Sequence, residues 1–137
     1  MPTNRRSRRS KRDRTGTAAA ELAVCLPTIA LLVLGSMEAC NAIFLRHAIN
    51  VAAYEGARVA IRDGATNLKV EDRCEAVLAA RRVNSASINL SVANVSTVVR
   101  GNRIAVTISA PANANAISPA WFFGGRTVQG TCVMVKE

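Results

Sequence analysis

Apolar residues are not spread evenly along this chain; they switch between three spacings, and each spacing predicts a different element. Between Glu21 and Glu38 lie sixteen uncharged residues, Leu22 to Met37, with the run LLVL at their centre. Widened to Ala18–Leu45, the segment admits only those two glutamates, and as a helix it is roughly 42 Å long, enough to cross a bilayer. A buried core helix would show a similar run, but flanking arginines favour a membrane span. Beyond Leu45 the pattern narrows to one face: Leu45, Ala48, Ile49, Ala52, Gly56, Val59 and Ala60 recur at helical spacing, with Arg46, His47, Asn50, Arg58 and Arg62 opposite. The spacing therefore predicts one long helix from Ala18 to Asp63, ended by Gly64 as a left-handed cap, with Pro27 and Gly35 as places for a bend.

A second helix is predicted from Leu68 to Val83, with Val70, Cys74, Val77, Leu78 and Arg81 on one face and Asn67 as its cap. From Ser87 the period becomes two: Ile88, Leu90 and Val92 alternate with polar residues, RGNR at 100–103 turns the chain, and Ile104, Val106 and Ile108 follow. A last strand is expected over Thr127–Lys136, after a stretch rich in Pro, Gly and Asn. The fold class is α+β: a long membrane-spanning and amphipathic helix, a second short helix and a small antiparallel sheet of three or four strands. Three segments are expected, a basic leader at 1–16, the long helix at 17–63 and an extracytoplasmic domain at 64–137.

Composition adds that half of the 137 residues are hydrophobic but only 4% aromatic, which suits an alanine-rich helix with a modest sheet. The net charge of +9 suggests nucleic acid until its distribution is considered: residues 1–16 hold seven Lys/Arg against Asp13 alone. The run NRRSRRSKRDR, Asn4 to Arg14, has nothing apolar to bury and is expected to be disordered. A nucleic-acid arm, a patch on anionic lipid and a cytoplasmic retention signal compete for it. The third is favoured, since Lys/Arg beside a hydrophobic span keep that side in the cytoplasm. No convincing small-x-small cleavage site follows the span in GSMEACNA, so a removable secretory signal is disfavoured.

Chemistry-bearing residues are few. No spacing among four cysteines and His47 fits a zinc site, and no Ser-His-Asp arrangement is offered; no cofactor or metal is expected. Cys25 lies within the span, and Cys40 near its outer end either packs as a small apolar residue or touches another subunit. Cys74 and Cys132 are candidates for a disulfide tying the last strand to the second helix, with two buried free thiols as the alternative. Glu71, Asp72 and Glu75, interrupted by Arg73, read as a solvated helix surface. Trp121, Phe122 and Phe123 hold three of the five aromatics, either as core or as an exposed contact with a partner.

Gly16 followed by TAAAE puts Glu21 fifth after a glycine, behind a basic leader and at the head of an apolar helix. This resembles the processing site of type IV prepilins, in which a membrane peptidase cuts after the glycine; the new first residue would be Thr17. Residues 16–60 are similar to the TadE-like family, minor pseudopilins of tight-adherence (Flp) pili, in Glu21, Leu26 with Pro27, Ile29 to Leu34, Gly35 with Glu38, and Ala52, Ala53, Glu55, Gly56, Ala57 and Arg58. Leu22 departs from the usual aromatic, and the sheet region carries no matching motif. The resemblance implies an inner-membrane, single-pass protein with a cytoplasmic N-terminus, and a prepilin peptidase, other pilins or pseudopilins, pilus assembly machinery and the lipid bilayer as partners, with no catalysis and no nucleic acid. It also implies a role for Glu21: after cleavage a neighbouring subunit's Glu21 pairs with the Thr17 α-amine, where low dielectric makes either unpaired charge costly. Otherwise Glu21 is solvated at the interface or favours the helix N-terminus. Glu38 is as compatible with solvation as with a contact. An unprocessed membrane-anchored periplasmic binding or scaffold protein remains the alternative.

Overall fold

The computed structural model describes residues 9–117 and 124–137, with side chains from Gly16 onward. Helix α1 runs Arg9–Ala60 and α2 Asn67–Ala80; strands β1 Ser87–Leu90, β2 Arg103–Pro111 and β3 Thr127–Val135 follow, with short 3-10 turns at Val95–Thr97 and Asn113–Asn115. The α+β class expected from the pattern is the one observed: a long apolar N-terminal helix, a second helix and a three-stranded antiparallel sheet in the order β1-β2-β3. Chain contacts divide the protein into two compact units, Met1–Ser36 and Met37–Glu137. Half of α1 thus packs as part of the sheet unit.

In that unit the sheet buries one face and exposes the other. Along β2, Ile104, Val106, Ile108 and Ala110 are buried while the residues between them are more exposed, the period of two that the sequence displays. Register pairs Ile108 with Ile88 of β1 and Val106 with Cys132 of β3. The inner side packs into one core with Leu45, Ile49, Ala52, Ala53, Ala57 and Ala60 of α1 and Val70, Cys74 and Leu78 of α2. On the other side, hydroxyl pairs bridge strands: Ser87 with Ser109 at 2.7 Å and Thr107 with Thr131 at 2.9 Å.

Several boundaries differ from the sequence pattern. Residues 9–14, expected to be disordered, are helical. Lysine and arginine are good helix formers, and a helix already nucleated by the apolar segment adds each further residue at low cost. At the other end α1 stops at Ala60; Gly64 does adopt φ +72°, but in a turn beyond the helix. Thr66, not Asn67, caps α2, accepting from the Lys69 amide at 3.4 Å. Asn67 instead ties α2 to the loop before the first 3-10 turn, donating to the Ala93 carbonyl at 2.8 Å and accepting from the Val95 amide at 2.9 Å. That connection is longer than a tight hairpin, although RGNR does turn the chain, with Gly101 at φ +88°. Arg81, placed on the packed face by spacing, is the exposed residue after the last turn of α2.

Candidate functional site

Among the described residues α1 is the one helix long and apolar enough to cross a membrane. In the first unit its apolar side chains have nothing of the chain's own to pack against: Leu22, Val24, Leu26, Ile29, Leu31, Leu32 and Val33 are all more than half exposed. A surface of that kind is one that lipid or another helix would cover. Gly16 and Thr17 both lie inside the helix and are exposed, and a Cβ at Gly16 would meet nothing within 4 Å. Glu21 is exposed one turn beyond Thr17; four residues apart on a helix, the two share a face. The candidate processing and assembly residues are therefore brought together, at the head of the exposed apolar stretch.

The second cluster of motif residues sits where α1 meets α2. Small side chains at Ala52, Ala53, Gly56 and Ala57 are fully or almost fully buried. Gly56 is required by closeness: a Cβ there would collide with the Cys74 Sγ and press on Val106 Cγ1 at 3.4 Å. Gly130 of β3 does the same on the sheet side, since a Cβ would stand 2.9 Å from Ile49 Cγ2. Beside Gly56, the Glu55 carboxylate accepts from Arg73 of α2 through Nη2 at 2.9 Å and Nε at 3.3 Å, and Arg58 approaches to 3.8 Å. The Arg73 hydrogen bond, against a smaller opposing effect of burial and with help from the charges of Arg73, Arg58 and Arg62, holds the Glu55 carboxyl below its ordinary value. Arg73 thus does more than interrupt an acidic surface; it is the partner of the motif glutamate.

Cys74 and Cys132 stand as free thiols in this structure. Cys74 turns toward α1, where Sγ lies 3.6 Å from the Ala52 carbonyl oxygen in a closed gap made by Gly56. Burial, with the charges of Glu71 and Glu75, pushes its thiol up to about 11. Cys132 is half-buried on the inner face of β3, and burial raises its thiol as well. Glu38 is buried and is not left unpaired, which settles against simple solvation. Trp121, Phe122 and Phe123 lie outside the described residues.

The spacing of apolar residues also missed two polar ties. Lys136, the penultimate residue, is buried and donates to the carbonyls of Ala60 at 3.2 Å and Arg62 at 2.9 Å. Asn115 clips the α2–β1 loop: it donates to the carbonyls of Asn84 at 3.0 Å and Pro111 at 2.9 Å, and accepts from the Asn84 amide at 2.7 Å.

With Gly16, Thr17, Glu21 and the Glu55-Gly56-Ala57 crossing on one helix, the comparison with known families falls on those same residues. Residues 16–58 match the family of TadE-like proteins. The TadE-like match begins at Gly16 and ends at Arg58, about a third of the chain, so it takes in the exposed apolar stretch and the α1 side of the α2 crossing, and leaves α2 and the sheet outside. TadE-like proteins are associated with Tad pili and form no known enzyme family. No curated protein and no solved structure matches the chain significantly.

Proposed function

We propose that the chain is a minor pseudopilin-like, single-pass membrane protein of tight-adherence pilus biogenesis and surface adhesion, cut by a prepilin peptidase between Gly16 and Thr17. The N-terminus lies on the cytoplasmic side, in keeping with seven basic residues before Thr17, and the sheet unit lies outside. The observation that carries this reading is the position of Gly16, Thr17 and Glu21 at the head of an exposed apolar helix where the TadE-like match begins. The chain works by assembly, with no catalytic step of its own. Its mechanism is electrostatic: cleavage creates an α-amine on Thr17, and the Glu21 carboxylate of a neighbouring subunit pairs with it. Because either charge alone is costly in hydrocarbon, the pair selects one axial register among the many that apolar packing tolerates.

Gly16 also makes the bond reachable. Glycine inside a helix costs about 1 kcal/mol relative to alanine, so the helix unwinds there more readily than at its neighbours. Intact mass measurement of membrane-extracted protein tests the reading. A chain starting at Thr17 supports it, and a chain that keeps its leader in cells with an active prepilin peptidase rejects it in favour of an unprocessed membrane-anchored scaffold.

A further inference from the structure

Within the sheet unit, the face of α1 turned away from the core carries a second pattern. Met37, Cys40, Phe44, His47, Val51 and Tyr54 follow one another in strict steps of three and four. At 100° per residue they form one stripe about half a turn from Ile49, Ala52, Ala53 and Gly56, which face the core. The stripe is open: Phe44 is 73% exposed, Tyr54 51% and Met37 48%. An average repeat of 3.5 residues is the spacing at which one helix keeps a continuous seam against another, and lipid imposes no such repeat.

We propose that this seam pairs α1 in parallel with α1 of a second copy of the chain, forming a short two-stranded coiled coil outside the membrane. The charges fit a second copy. From Met37 to Tyr54 the stripe holds no Asp, Glu, Lys or Arg, so a self-pairing brings no such like charges together, and Phe44 and Val51 meet their own counterparts in successive layers. Of the positions flanking the stripe, Asn41, Ile43 and Asn50 are uncharged and Glu55 is already held by Arg73. The parallel orientation rests on the membrane reading above, which puts both N-termini on one side; the seam itself does not depend on cleavage. In this arrangement Cys40 faces Cys40 of the second copy.

Oxidative cross-linking of the full chain in native membranes tests this, in a Cys25→Ser background. The expected results are a disulfide-linked homodimer through Cys40, and another when Cys40→Ser is combined with Tyr54→Cys. Arg46→Cys in the Cys40→Ser chain, exposed but off the stripe, gives no dimer although it alkylates equally well. Absence of dimers at both stripe positions, equal dimer at position 46, cross-links to a different protein, or linkage of Cys40 only to a cysteine at position 54 of the other copy overturns the proposal. The start residue is read from the same samples by mass, so failure of the seam and failure of processing are seen separately.

Discussion

The Lys136 ammonium donates to the carbonyl oxygens of Ala60 and Arg62, at 3.2 and 2.9 Å, and so closes the C-terminal end of α1 with a residue 76 positions away from it. A helix ends with carbonyls that have no partner of their own and with a negative dipole end, and a buried cation satisfies both. The end of β3 is fastened in the same place, since the Gly101 amide donates to the Lys136 carbonyl and the Lys136 amide to the Asn102 carbonyl. Lys136→Met keeps the aliphatic stem and removes the donors. It is expected to cost about 1–3 kcal/mol through unsatisfied carbonyls, read as a lower urea midpoint for the full chain in detergent. Lys136→Arg, which keeps a donor and the charge, is expected to recover part of that loss.

Gly56→Ala sets two effects of opposite sign against each other. In an open helix the change gains about 1 kcal/mol. Here the new methyl meets Cys74 Sγ in a closed contact, and overpacking of that kind costs about 1–3 kcal/mol, so the net effect is destabilising. The pair Gly56→Ala with Cys74→Ala removes the obstructing atom and is expected to be more stable than Gly56→Ala alone. A double-mutant cycle on thermal midpoints measures the coupling.

Thiol reactivity separates the cysteines. With its thiol pushed up to about 11, Cys74 stays protonated through pH 8, and its burial also denies access to reagent. A water-soluble maleimide at pH 8 is expected to spare Cys74 in the folded chain and to label it after unfolding in urea. Peptide mass mapping of the two samples checks this.

Glu55 gives the fold a predictable acid limb. Its carboxyl is lowered in the folded state, mainly by the Arg73 hydrogen bond, so the folded protein holds that proton less tightly than the unfolded chain. The resulting stabilisation is present above the ordinary carboxylate range and is lost as pH falls through the lowered folded value. Glu55→Gln cannot titrate, so its thermal midpoint is expected to fall less than that of the wild type between pH 5 and pH 3, roughly the range around and below the ordinary carboxylate value. Melting curves for both chains across that range compare the slopes.

Wherever one residue type repeats at a fixed spacing, the elements were legible. The apolar run beginning at Leu22 marked α1, the inward alternation of Ile104, Val106 and Ile108 marked β2, and the glycine of RGNR marked a turn, because each follows from local geometry. The boundary errors at Arg9, Ala60 and Thr66 share a cause: helix ends are decided by whichever donors and acceptors lie nearby, and those include groups distant in sequence. The candidate site divides in the same way. Gly16, Thr17 and Glu21 are legible because they lie within five residues of one another, whereas the contact of Glu55 with Arg73 needs α2 folded back on α1.

By itself, then, the sequence determined where the apolar surface lies, which stretch is long and apolar enough to cross a membrane, and which residues open that stretch. Only the tertiary structure decided that Gly56 is small because Cys74 approaches it, and that Lys136 closes a helix it does not belong to. Periodicity records which way a side chain points along its own element. It carries no record of what stands opposite, since that depends on chain reversals whose contacts join residues tens of positions apart.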